Sequence, residues 1–93
     1  MRRSQTFLDV AAPAEVEREI RHIADDVPGV AGVDACRIRG SGLAYLVGIH
    51  VEVDGNLPAR PRGHELAHEV GNALRASSIP VLDVLVHVEP SPE

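Results

Sequence analysis

The chain is poor in several residue types, and each shortage excludes something. It has one cysteine, Cys36, so it has no internal disulfide. A lone thiol without a secretion signal fits a reducing compartment. Phe7 and Tyr45 are its only aromatic residues, too few for a stacking platform on single-stranded nucleic acid. It has no lysine: the nine basic residues are all arginine, and fourteen acidic residues bring the net charge to −5. That balance speaks against a phosphate-binding surface. The arginine-only usage reads as genome composition bias, not as chemistry. No apolar run approaches the ~20 residues of a membrane helix, and the longest, Leu43 to Val53, is broken by His50 and Glu52. The first six residues are polar with no apolar core behind them, unlike a secretory signal. A cytoplasmic chain is expected, with no nucleic-acid partner and no membrane insertion of its own.

What is present suits one small globular domain. The chain has 93 residues, 44% hydrophobic and 25% charged. A domain of this size buries a limited share of its surface and is usually supported by a metal, a disulfide or a partner chain. With the disulfide excluded, a metal or an oligomer remains.

The apolar pattern predicts five elements. Residues 1–12 read as a flexible lead-in. Pro13 opens a helix whose buried positions are Val16, Ile20, Ile23, Ala24 and Val27, and Pro28-Gly29 stops it. A strand over 33–39 and the turn Gly40-Ser41-Gly42 suggest a hairpin. The second strand, 43–54, alternates cleanly. Leu43, Tyr45, Val47, Ile49, Val51 and Val53 share one face; Ala44, Leu46, Gly48, His50, Glu52 and Asp54 share the other. A loop over Pro58 to Gly63 leads to a helix over 63–77, buried through Leu66, Val70, Ala73 and Leu74. The last strand, 81–89, puts Leu82, Val84, Val86 and Val88 on one face, and Asp83, Leu85, His87 and Glu89 on the other. Residues 91–93 form a tail. The order αββαβ predicts an α+β domain: two helices on one face of a three-stranded antiparallel or mixed sheet, close to a ferredoxin-like unit lacking one strand.

The helices should cover the valine-rich face. His50 and His87 then share the open face from different strands, and Glu89, two residues past His87, points the same way. Imidazole and carboxylate held together are the ligands of zinc and its neighbours. An ordinary solvated face with histidine as polar filler accounts for the same pattern, and parity alone leaves both readings standing.

His64-Glu65-Leu66-Ala67-His68 matches the zincin pattern, two histidines on one helical face with glutamate as general base. A small zinc hydrolase is therefore one alternative, although so short a chain has no second lobe to form a cleft. A purely structural dimerisation module is another. Cys36 reads as a small core residue, but its parity matches that of Asp34, which keeps a ligand role open.

Five blocks in order carry a resemblance: Val27-Pro28-Gly29-Val30 with Gly32-Val33-Asp34, Arg37 to Gly42, Ile49 to Asp54, His64-Glu65, and the ending Val86-His87-Val88-Glu89-Pro90. Over residues 13–90 the chain resembles the cytoplasmic C-terminal domain of cation diffusion facilitator transporters. The resemblance implies a two-layer metallochaperone-like fold, a V-shaped homodimer, and a regulatory rather than enzymatic role in which bound metal shifts the dimer. It places family ligands at His50, His64, His87 and Glu89, with Asp34 where relatives often carry histidine; His68, at a position where relatives often have another residue, is an additional candidate ligand. Zinc is the first expectation, and Cd2+, Co2+, Ni2+, Mn2+ and Fe2+ suit the same donors. Phe7-Leu8-Asp9 resembles the junction after a last membrane helix, so the implied partner is a transmembrane transporter unless the chain is a free-standing relative.

Overall fold

The computed structural model describes residues 12–54 and 62–91. The lead-in before residue 12, most of the loop before the second helix and the end of the tail lie outside the described residues. Five elements follow in chain order: helix α1 (Ala14–Asp25), strands β1 (Gly32–Ser41) and β2 (Ala44–Val53), helix α2 (Arg62–Ala76) and strand β3 (Val81–Pro90). The sheet runs β1-β2-β3, with β1 antiparallel and β3 parallel to the central β2. The sheet is therefore mixed. Both helices pack on one face, giving the expected two-layer α+β domain. No helix among the described residues is long and apolar enough to cross a membrane.

The core is the expected set of facing stripes. Ile20, Ala24 and Val27 come from α1 and its end, Val47, Ile49 and Val51 from β2, and Leu66, Val70 and Leu74 from α2. The strand contributions to the fully buried set all come from β2, because a central strand has neighbours covering its side chains on both flanks. The inward residues of β1 and β3 (Val33, Cys36, Ile38, Val84, Val86 and Val88) pack against that core but stay partly open at the sheet edges.

The chain leaves α1 by a tight turn. Val30 N donates to Val27 O at 3.1 Å, with Pro28 and Gly29 at the two central positions. Gly29 has φ 102°, which with proline before it makes a type II turn. A Cβ on Gly29 would stand 2.8 Å from Arg62 Nη2 and 3.3 Å from Leu66 Cδ1. The arginine tip can swing aside, but the positive φ remains unfavourable for any L side chain. Gly29→Ala is expected to lower stability by about 1–2 kcal/mol, measured as a shift in urea midpoint without a change in slope. At the other end of the core, Ser77 Oγ donates to Leu74 O at 2.7 Å and accepts from Ile79 N at 3.3 Å, closing α2.

Three local features differ from the sequence-based expectation. The hairpin turn is Gly42-Leu43, since Ser41 pairs with Ala44. Gly42 takes φ 66° and Leu43 does not have positive φ, the pattern of a II′ turn. Leu43, expected on the inner face of β2, therefore sits at the tip, 96% exposed. The other two differences are β-bulges. Pairing of β3 to β2 slips between Tyr45 and Leu46, whose partners are Val81 and Asp83. Leu82 is the extra residue; expected to face inward, it is 61% exposed, and Val81 packs on the core instead. The third feature shapes the functional site.

Candidate metal centre

The uncovered face of the sheet can be read row by row from its register. Ala35, His50 and His87 form one row, and Glu52 with Glu89 the next. Towards the hairpin follow Arg37, Gly48 and Leu85, then Arg39, Leu46 and Asp83. His50 lies at the middle of this face because it alternates with the buried Ile49 and Val51 on the central strand.

Asp34 reaches this face through a bulge. Val33 pairs with Val51, yet Ala35 pairs with His50, so Asp34 is an additional residue with no partner of its own on β2. The bulge resets the alternation of β1. Strict parity would place Asp34 and Cys36 on the same face. Instead Cys36 stands opposite Ile49 and packs against the core, while the carboxylate of Asp34 is turned to the histidine. Burial pushes the Cys36 thiol up from its ordinary range; the Arg21 guanidinium draws it back down and Glu17 adds to the rise. The Cys36 side chain thus lies on the helix side of the sheet, away from the open face.

Asp34, His50 and Glu89 are brought together. One ligand atom of each lies within 4.8 Å of the others. His50 Nδ1 and Glu89 Oε1 are 3.4 Å apart, a long hydrogen bond or ion pair depending on the protons. That separation is also about the edge of a tetrahedron with ~2.1 Å metal–ligand bonds. Asp34, the third member, is exposed. The three donors come from three strands, so the backbone that holds them is set by the sheet ladder. His87 is the register partner of His50, and the two rings stack with centroids 4.9 Å apart and planes 23° from parallel. It stands beside the three and is not one of the closely spaced donors. Glu52, register partner of Glu89, adds a further carboxylate to the same end of the face. Like charges in directly opposed positions repel, and a divalent cation among them relieves that repulsion.

His64 and His68 are elsewhere. Both are exposed on α2, with ring centroids 4.8 Å apart and planes at 79°. They flank a groove between α2 and β3, also lined by Ala67, Gly71, Arg75, Val84 and Val86. Within one protomer the described residues do not bring them into the group formed by Asp34, His50 and Glu89. Glu65, the base that a zincin would need, is 59% exposed and paired with Arg62 at 3.2 Å. No signal in the sequence pointed to the bulge at Asp34; the resemblance alone had marked that residue.

Comparison with known proteins agrees with this architecture. A family model described as the cytoplasmic domain of cation efflux proteins matches residues 12–91. The cation-efflux pump FieF of Pectobacterium atrosepticum is 35% identical over 86 residues, covering 92% of this chain and 28% of the pump. The chain thus spans under a third of the length of such relatives. Among solved structures, the nickel form of a MamM CTD variant superposes with a TM-score of 0.81 at 25% identity, covering 86% of this chain and all of that one. Cadmium and manganese forms of MamM CTD variants, also at 25% identity, superpose with TM-scores of 0.80 and 0.78. The chain belongs to the cation efflux family, as its cytoplasmic, non-enzymatic domain.

Proposed function

We propose that this domain senses divalent transition metal, zinc first, through Asp34, His50 and Glu89, with His87 adjoining, and reports occupancy by a change in a homodimer. The observation that carries the reading is the convergence of one imidazole and two carboxylates from three strands, one of them re-aimed by a bulge. Three donors with open positions around them suit an ion that is taken up and released. The set holds nitrogen and oxygen but no thiolate. It therefore admits zinc, nickel, cobalt, cadmium, manganese and iron, and disfavours ions that require sulfur. Solved MamM CTD variants in manganese, cadmium and nickel forms support a metal of this class.

Beyond the metal row, the open face carries Leu46 and Leu85, the latter 73% exposed. Leucines uncovered on a sheet face suit contact with a second copy of the chain, which would set two carboxylate-rich ends near each other. In the empty state those ends repel; an ion bound at either removes charge and draws the arms together. In a transporter with a membrane domain, that movement would couple cytosolic metal to export. The hydrolase alternative is set aside, since Glu65 is held by Arg62 at the surface and the family is not enzymatic.

Calorimetric titration of the chain with zinc chloride tests the reading. Binding tighter than millimolar is expected at pH 7.5, and it should weaken on acidification, because an imidazole has to be unprotonated to ligate a metal. Absence of such binding at pH 7.5 would leave only a dimerisation module. Small-angle scattering with and without zinc would show whether the dimer changes shape.

A further inference from the structure

The hairpin half of the open face carries a charge pattern that the metal row does not explain. On β1 stand Arg37 and Arg39, both exposed. Level with them on β3 stand Leu85 and Asp83, with Gly48 and Leu46 of β2 between. These six side-chain positions surround a depression of about 250 Å³. It is open because Gly48 has no side chain, and a Cβ there would meet nothing within 4 Å. Positive groups therefore line one edge of the patch and a negative group the other. Arg37 makes no ion pair among the described residues. Asp83 is 77% exposed; its Oδ1 accepts from Val84 N at 3.0 Å and lies 3.9 Å from Arg75 Nη2. Its other oxygen has no partner among the described residues.

This pattern restricts how a second copy can sit on the face. Two copies packed sheet to sheet with aligned strands are related by a two-fold axis between them, lying across the strands or along them. An axis across the strands lays β1 on β1 and sets arginine against arginine. An axis along the strands lays β1 of one copy on β3 of the other, and every arginine then meets the acidic edge. Resting on the homodimer reading above, we propose that the copies meet about an axis along their strands, with Arg37 and Arg39 of each paired to the partner's Asp83. Leu46 then lies on the partner's Leu46. Leu85 fills the space over the partner's Gly48, flanked by the apolar stem of the partner's Arg37. The same axis has the opposite effect at the metal end, where it sets Asp34 against the partner's Glu89, carboxylate against carboxylate. Metal-free copies are therefore joined at the hairpin end and splayed at the other. The arginine–aspartate pairs form the hinge, and the metal row is the part that moves. The pairs also select the partner: a chain of this fold with no acid at the place of Asp83 leaves both arginines facing no charge.

Charge reversal tests the pairing, read by sedimentation and native mass spectrometry of the metal-free chain. Arg37→Glu with Arg39→Glu sets acid against the partner's Asp83, and Asp83→Arg sets arginine against arginine. Each variant alone should dimerise at least roughly tenfold more weakly than the unaltered chain. Mixed in equal amounts, the two should form a heterodimer as strong as the unaltered dimer, because both of its contacts are again of opposite sign. All three positions are exposed, so the circular dichroism of each variant should match the unaltered chain, and recovery in the mixture shows independently that both fold. The proposal is overturned if either variant dimerises as the unaltered chain does, or if the mixture stays monomeric. A dimer that survives the reversals leaves the homodimer reading standing and removes only this orientation. An unaltered chain that stays monomeric with and without zinc overturns the homodimer reading itself. Zinc calorimetry reports on donors at the other end of the sheet and is read separately.

Discussion

Replacing His50 with alanine is expected to lower zinc affinity about a hundredfold or more, some 2.7 kcal/mol, while leaving the metal-free domain folded. His50 supplies the sole nitrogen donor of the closely spaced group, from the central strand, with Asp34 on one side and Glu89 on the other. Its loss leaves two carboxylates that repel each other. His87, stacked 4.9 Å away between ring centroids, has to leave its place to substitute. The His50 side chain is 45% exposed, and substitutions at such surface positions usually change stability by within about 0.5 kcal/mol. Zinc calorimetry and a thermal melt without metal measure the two quantities separately. Unaltered zinc affinity would remove His50 from the site and with it the proposed function. Deleting Asp34 is a sharper variant of the same test. Val33 and Ala35 already pair with successive residues of β2, so removing the residue between them should keep the ladder and lose only the carboxylate.

The largest effect on stability is expected one residue earlier. Ile49 is fully buried at the centre of the sheet. Truncation to alanine removes apolar surface and leaves a cavity, a change that costs about 2–5 kcal/mol in such positions. A domain of this length has a total stability of roughly 5–14 kcal/mol, so the melting temperature should fall by some 10–30 °C. The ligand atoms lie on the opposite face of the strand, so zinc should still bind and recover part of the loss by binding only the folded state. Melts with and without zinc chloride measure this. A loss under about 1 kcal/mol would mean that Ile49 is not at the core.

The contrast between these adjacent residues was legible in the chain itself. From Ile49 to Val53 apolar and polar residues alternate, and a strand has period two, so His50 outward and Ile49 inward follow from each other. The helices were equally legible: their apolar stripes recur at helical spacing, and Pro28-Gly29 and Pro80 mark their ends. Alternation also misled at Leu43, which the turn takes out of the strand, and at two further places that share one reason. A bulge is an agreement between two strands about hydrogen-bond register, and nothing within either strand announces it. At Leu82 the slip exposes a leucine that parity had buried. At Asp34 it does the reverse service, bringing a carboxylate to the histidine and sending Cys36 to the core.

The residues of β2, α1 and α2 determined by themselves which faces would be buried and that imidazole and carboxylate would share an uncovered sheet, because those outcomes depend on local period and on burial of apolar surface. Tertiary structure alone decided which of them meet. Asp34, His50 and Glu89 converge only through strand pairing with a bulge, and His64 and His68 stay together on the helix, because distances across a sheet are set by register between segments far apart in the chain.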